Sequence, residues 1–303
     1  MQQHSKKNSR IQQPPKHVAI IGLGLLGGSL GKCLKEKFPD TQVLGYARRR
    51  ETIDEAMSDQ VIDFGSTDPA EVLPAAEISI VCLPVNVVLD FVKENAQLWS
   101  RGTIVTDVGS VKQRIVDDLT PVLYKHGVHF IGSHPMAGSE KTGIENASSS
   151  LYKNATVFVT PSSVKHHPSV EHVSNFWRAA GAFPVTVSPQ EHDHLVAGSS
   201  HLIHLLAAAG VNVALQEDKS QLAAASGFRD FSRIASASPD IWTQIFRQNK
   251  DELCKVLEQY RTLLEQLQEN LENGKWDKLH NFLSKARKKR HQWYDNWRKM
   301  REK

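Results

Sequence analysis

The sequence predicts an α/β protein: a doubly wound, mostly parallel sheet in the first two thirds and an all-helical region after it. Three observations predict this. Val18–Gly31 reads VAIIGLGLLGGSLG, a strand running into a glycine-punctuated turn and a helix. Strand-like and helix-like segments then alternate to about Ser188. From Gln190 onward the strand signals stop and apolar residues recur at helical spacing.

The first segment is the most informative. Val18 to Ile21 has the length and β-branched content of a buried strand. Gly22, Gly24 and Gly27 follow in the order G-x-G-x-x-G, with Leu25 and Leu26 opening a helix. The first glycine permits a tight turn, the second a close approach by pyrophosphate, and the third close helix–strand packing. The helix N-terminus offers free N–H groups to phosphate. This is the context of a Rossmann-type dinucleotide site; an ordinary β–α turn is the plainer reading.

Composition bounds the rest. The 303 residues suggest about two domains, and 40% hydrophobic with 23% charged residues is ordinary for a globular chain. No uninterrupted apolar run reaches the roughly 18 residues of a membrane span. Residues 1–16 are polar, with no signal-peptide core, and read as a disordered leader. Cys33, Cys82 and Cys254 are far apart and lack metal-ligand spacing, which suits a reducing cytoplasm. The net charge of +4 is too small to imply nucleic acid. Basic residues gather at the ends, Lys6, Lys7 and Arg10, then Lys285, Arg287, Lys288, Lys289 and Arg290, and read as solvated tails or helix faces. Neither a nucleic-acid partner nor a membrane is expected.

Gln42–Ala47 is a second strand. Its end usually carries, about 20 residues beyond the glycines, an acid that bonds the ribose 2′-hydroxyl. Here Ala47, Arg48, Arg49 and Arg50 stand there, with no carboxylate to repel a 2′-phosphate and guanidinium groups suited to bind one. That argues for NADP, with NAD possible. Alternatively the arginines only solvate the next helix. Ile78–Leu83 is a third strand, closed by Pro84, and Thr103–Asp107 a fourth, followed by Gly109, Ser110 and a helix. Leu83, Pro84, Asp107 and Gly109 thus lie where an open sheet faces its cofactor. Val128–Ile131 is a fifth strand, leading into a turn-rich loop with His134 and Glu140. Thr156–Thr160 and Pro184–Val187 are two more strands, with a helix over Pro168–Ala180 between them.

In the helical part, Glu191–Gln216 reads as one long helix buried on most sides. Trp242, Ile245, Phe246, Leu253, Val256, Leu257, Tyr260, Leu263, Leu264 and Leu267 form a wide stripe along a further helix that Gly274 ends. So much apolar face points to packing between subunits and a homodimer, with burial inside one chain as the rival. If His192–His204 is helical, His201 and His204 share a face with Ser200 beside them, and Arg229 and Arg233, four apart, project together. Each has a plainer reading: structural histidines, and arginines paired on the surface. H-x-x-H without cysteine or H-E-x-x-H is poor metal evidence, and no metal is expected.

Together, GLGLLGGSL, DVGSVK, HPMAGSEKTG, the SHLIH following HDH, and GFRDFSRIASASPDIW resemble the motif series of the prephenate and arogenate dehydrogenases of tyrosine biosynthesis. The likeness runs from about His17 to about Lys285 in that family's order. It implies a nucleotide-binding domain over 17–188, a helical substrate and dimerisation domain over 189–285, a basic tail over 286–303, and an active site between the two domains. It implies hydride transfer to NADP or NAD with loss of carbon dioxide from prephenate or arogenate as small-molecule substrate. By resemblance, His134 meets the substrate's ring hydroxyl, Ser110 lies near that hydroxyl and the nicotinamide, and Arg233 binds a carboxylate. His201 and His204 line the pocket, and Glu140 belongs to a gate or polar network. A fused chorismate mutase domain before His17, or a regulatory module after the helices, is not expected. Two rivals remain: a β-hydroxyacid or 6-phosphogluconate-type dehydrogenase, which would typically use a lysine that no obvious catalytic turn supplies here, and a nucleotide-sensing protein without chemistry.

Overall fold

The computed structural model describes residues 15–138, 141–162 and 168–301. Pro15 and Lys16, grouped with the leader from sequence, are tied down: the Pro15 carbonyl accepts from Thr41 Oγ1, and the Lys16 carbonyl from the Gln42 N–H.

Strands β1 (His17–Ile21), β2 (Gln42–Tyr46), β3 (Phe64–Ser66), β4 (Ile78–Val81), β5 (Ile104–Asp107) and β6 (His129–Phe130) form one parallel sheet in the order β3-β2-β1-β4-β5-β6. Helices α1 (Leu25–Lys37), α2 (Arg50–Ser58), α3 (Val88–Asn95) and α4 (Gln113–Lys125) connect them. The order reverses between β1 and β4, which creates the crevice where such sheets take ligands. β1 shows why its sequence reads as a continuous apolar run. Val18 and Ile20 enter the core on one face, Ala19 and Ile21 the core on the other, and all four are fully buried.

The expectation of one sheet through Ser188 is corrected. The chain breaks after Phe130, and Gly132–Pro135 (β7) begins a second, three-stranded sheet. In it β7 pairs antiparallel with β8 (Thr156–Thr160), and β8 parallel with β9 (Phe183–Thr186); helix α5 (Pro168–Ala179) joins β8 to β9. β3, only three residues containing a glycine, and β7, reading GSHP, carry too little periodic signal to be seen in the sequence. His134 therefore sits on a strand opposite Phe158, rather than in a loop.

The long helix is also corrected. It consists of α6 (Pro189–Val196), a π turn at Ala197–His201, and α7 (Leu202–Ala214). A π turn admits one extra residue without changing composition, so the hydropathy pattern passes over it. Only one face is covered within the chain: Ile203 is 44% and Val213 69% exposed. Short helices α8 (Ser220–Ala223) and α9 (Ser226–Ser232) follow, with a 3₁₀ turn at Arg233–Ser236. The long stripe divides between α10 (Pro239–Gln248) and α11 (Lys250–Glu272), broken at the buried Asn249. Gly274, at φ +60°, ends α11 as its position requires. The basic segment after residue 285 is a continuation of helix α12 (Trp276–Arg301), where Arg290 lies over the rings of Trp293 and Tyr294.

Candidate active site

The nucleotide loop meets the demands of its glycines. Gly22 sits at φ +97°, a conformation that L side chains avoid, and a Cβ on Gly27 would fall 1.9 Å from the Gly22 carbonyl oxygen. Gly24 differs: among the described residues a Cβ there would meet no atom within 4 Å, so its side is open. Beside it, α1 starts at Leu25 and Leu26 with no side-chain cap on its first N–H groups. Open space at the second glycine and an uncapped helix N-terminus are what a pyrophosphate needs, and the loop fits a dinucleotide. At the end of β2, Ala47 is buried and Arg50 pairs with Asp54 at 2.8 Å, leaving Arg48 and Arg49 exposed. Leu83 and Pro84 lie just beyond the end of β4, on the same edge.

Asp107 closes β5, and its carboxylate is wholly buried. It accepts the Gly109 N–H at 2.9 Å, the Ser133 N–H at 3.0 Å and the Lys112 ammonium, which also donates to the Ser133 carbonyl at 3.0 Å. The Asp107 side chain therefore ties the turn and β7 together at the end of β5. Gly109 is buried in that turn, and half-buried Ser110 follows it. Lys112, unremarked in the sequence, is fully buried and occupied by these partners; burial drives its pKa down against the pull of Asp107.

Asp193 of α6 reaches across 80 residues of sequence to the start of α4. Its Oδ1 accepts the Lys112 N–H at 2.8 Å and its Oδ2 the Gln113 N–H at 2.9 Å, capping that helix. Oδ1 also meets His192 Nδ1 at 2.7 Å, and His192 Nε2 meets His134 Nδ1 at 2.8 Å. Phe158 packs edge-on against His192, with ring centroids 5.2 Å apart. Burial holds His134 well below the ordinary histidine range, assisted by His192, the Lys112 cation and His201. His192 is lowered by burial, with Asp193 opposing. Both rings are neutral near pH 7.

The π turn and α7 bring His201 and His204 to one aromatic wall, as their spacing predicts. His204 stacks on Trp242 with centroids 3.5 Å apart, and His201 meets the same ring edge-on at 6.1 Å. Asn249 Nδ2 donates to the Asp193 carbonyl at 2.8 Å and lies 3.1 Å from His201 Nδ1. Among the described residues His201 Nε2 is buried without completing a hydrogen bond, with the Ser110 main chain close to the ring. Burial drives the His201 pKa down to about 4, with Asp193 opposing. Burial also lowers His204, and the nearby Arg233 guanidinium adds to this. The structure thus brings Arg233, but not Arg229, to the histidines: Arg229 lies in solvent against Asp230. Ser200 is half-buried in the π turn, and Glu140 lies outside the described residues. Sequence reasoning missed His192, Asp193, Lys112, Trp242 and Asn249 as site residues. Only the HDH string carried a trace of the first two.

Residues 30–185 match the family described as "Prephenate dehydrogenase, nucleotide-binding domain", and residues 188–285 match "Prephenate dehydrogenase, dimerization domain". The chain is 33% identical over 275 residues to the prephenate dehydrogenase of Bacillus subtilis, covering 87% of this chain and 73% of that protein. Among solved structures, prephenate dehydrogenase from A. aeolicus, in complex with hydroxyphenyl propionate and NAD+, superposes with a TM-score of 0.84 at 31% identity, covering 91% of this chain and 98% of that one. Synechocystis arogenate dehydrogenase gives a TM-score of 0.80 at 30% identity, covering 91% and 99%. The parallel sheet with its glycine turn and the helical region after it correspond to the two matched domains, and the chain belongs to the prephenate dehydrogenase family of NAD(P)-dependent oxidoreductases.

Proposed function

We propose that this protein oxidatively decarboxylates a cyclohexadienyl substrate, arogenate or prephenate, with NADP preferred over NAD. The observation that carries the reading is the buried His134 on β7, next to the Ser133 N–H that Asp107 holds at the end of β5; burial keeps its pKa low, so it can take a hydroxyl proton. The bound nicotinamide supplies the acceptor for the hydride that leaves the hydroxyl-bearing ring carbon. His134 holds the hydroxyl proton as that carbon is oxidised. The bond to the ring carboxylate then breaks, its electron pair completes the aromatic ring, and the proton returns to the phenol oxygen as carbon dioxide departs. In this reading Arg233, whose charge is felt at His204, holds a carboxylate, the buried His201 Nε2 meets a polar group of the ligand, and the Trp242–His204 stack walls the ring. Ser110, whose main chain lies by the His201 ring, Ser200 and Glu140 complete the set of proposed polar residues.

Arg48 and Arg49, exposed at the end of β2 with no acid at Ala47, support the NADP preference. The exposed face of α7 and the helices after it supports a homodimer. Pro189–Ala214 is long and apolar enough to cross a membrane, with mean hydropathy 1.3, yet His192, Asp193 and His201 within it make their bonds inside the protein. A second copy is the cover we assign to its outer face. The unpaired cysteines suit the cytoplasm, the compartment we assign.

The test is a steady-state rate matrix of arogenate and prephenate, each with NADP and NAD, followed by reduced-nicotinamide absorbance. Fastest turnover of arogenate with NADP is the expected outcome. A dominant prephenate rate overturns the substrate preference, a dominant NAD rate the cofactor preference, and four empty cells with folded protein the activity itself.

A further inference from the structure

We propose that Asp193 and His192 form a relay that fixes the tautomer of His134, placing its proton on Nδ1 and leaving Nε2 as the acceptor. The proposal deepens the reading above and rests on His134 as proton acceptor.

The argument runs outward from Asp193. Its two oxygens receive the backbone N–H groups of Lys112 and Gln113, and a carboxylate so placed only accepts. The His192 Nδ1 at 2.7 Å from Oδ1 therefore donates. A neutral imidazole has a single N–H, so His192 Nε2 carries a lone pair. The atom 2.8 Å away, His134 Nδ1, must then donate to it. His134, also neutral, is left with its lone pair on Nε2. Among the described residues that atom makes no hydrogen bond. The chain of donors runs from His134 through His192 to Asp193, and the carboxylate sets its direction.

Asn249 imposes the opposite choice on His201. The Asp193 carbonyl can only accept, so the Asn249 atom facing it at 2.8 Å is the amide nitrogen. That nitrogen also lies 3.1 Å from His201 Nδ1, which must accept from it and leaves the proton of His201 on Nε2. Among the described residues this Nε2–H is a buried donor that completes no hydrogen bond. One acceptor, His134 Nε2, and one donor, His201 Nε2–H, are thus set by a single residue, Asp193. The carboxylate governs the first and the main-chain carbonyl, through Asn249, the second. His192 and Asp193 act through His134 and are positioning residues.

The tautomers can be read directly from two-bond ¹H–¹⁵N correlation spectra of the full chain labelled with ¹⁵N-histidine at pH 7, assigned by single His→Gln variants. The expected pattern is Nδ1–H for His134 and His192 and Nε2–H for His201. Nε2–H on His134 overturns the proposal whatever the activity. In kinetics, His192→Leu removes the acceptor, and kcat falls about 100-fold while nucleotide affinity holds. His192→Gln, whose carbonyl can take the place of Nε2, restores kcat to within about tenfold of the parent. Equal losses in both variants reduce His192 to packing and refute the relay. If the parent turns over none of the four substrate and cofactor pairs, the proposed function fails while the spectra still decide the tautomers.

Discussion

Lys112→Met is the most searching perturbation of the polar core. The side chain has no exposure, and its ammonium touches the Asp107 carboxylate and the Ser133 carbonyl. Removing one member of a buried pair strands the other charge, a loss of about 3–5 kcal/mol. Asp107 would keep its bonds from the Gly109 and Ser133 N–H groups, which puts the expected loss near the lower end, about 3 kcal/mol. Urea unfolding at fixed protein concentration, with an unchanged m-value, measures it. Combining Lys112→Met with Asp107→Asn removes the stranded charge and should recover part of the loss. The variant carries a second signature, because the Lys112 cation also helps hold the His134 pKa down. Without it His134 protonates more readily, and the acid limb of kcat/KM moves to higher pH. A loss below about 1 kcal/mol with an unmoved acid limb would show that Lys112 neither balances Asp107 nor acts on His134.

Two further predictions address the nucleotide loop and pH. Gly27→Ala drives a methyl into the Gly22 carbonyl and should cost about 2 kcal/mol or more together with nucleotide binding. Gly24→Ala meets no protein atom, so it should leave the melting temperature nearly unchanged while weakening nucleotide affinity in fluorescence titration. Loss of stability without loss of affinity in Gly24→Ala would refute the assignment of that space to a ligand. Below pH 6.5 the unfolded chain binds a proton at His201 that the folded chain refuses until about pH 4, so stability falls as pH drops through that window. His201 alone contributes roughly 3 kcal/mol of loss by pH 4, and the depressed His134, His192 and His204 act in the same direction. Urea midpoints at pH 7, 5.5 and 4.5 test this. A flat profile would mean that the histidines titrate normally.

The parts of this fold that were legible in the sequence are those whose physics is local. β1, its glycine turn and α1 combine a buried strand, a left-handed glycine and an uncapped helix within about twenty residues, and all three leave marks on residue choice. His201 and His204 were paired correctly because three residues on a helix are neighbours whatever lies around them, and the π turn did not separate them from Trp242. β7 was unreadable for the opposite reason. Gly132–Pro135 has no alternation to report, and its strand character comes from pairing with Thr156–Thr160, which lies more than twenty residues further along the chain. Arg229 and Arg233 were separated by a helix end, since Arg229 lies within α9 and Arg233 begins the 3₁₀ turn.

The same distinction explains why the decisive carboxylate was overlooked. Asp193 lies near the start of a segment that reads as one long helix, and nothing beside it in sequence marks the groups it binds. In the folded chain it caps α4, bonds His192 and, through its carbonyl, receives Asn249, so three segments of the protein meet at one residue. No local pattern encodes such a junction, because the capped N–H groups belong to Lys112 and Gln113 and the amide to Asn249. Its position also couples stability to chemistry. The carboxylate that satisfies the first N–H groups of α4 is the one that orients His192, so a substitution at 193 chosen to disturb catalysis alone would uncap a helix as well. His192 separates the two effects, since it takes no part in the cap and stands between the carboxylate and His134.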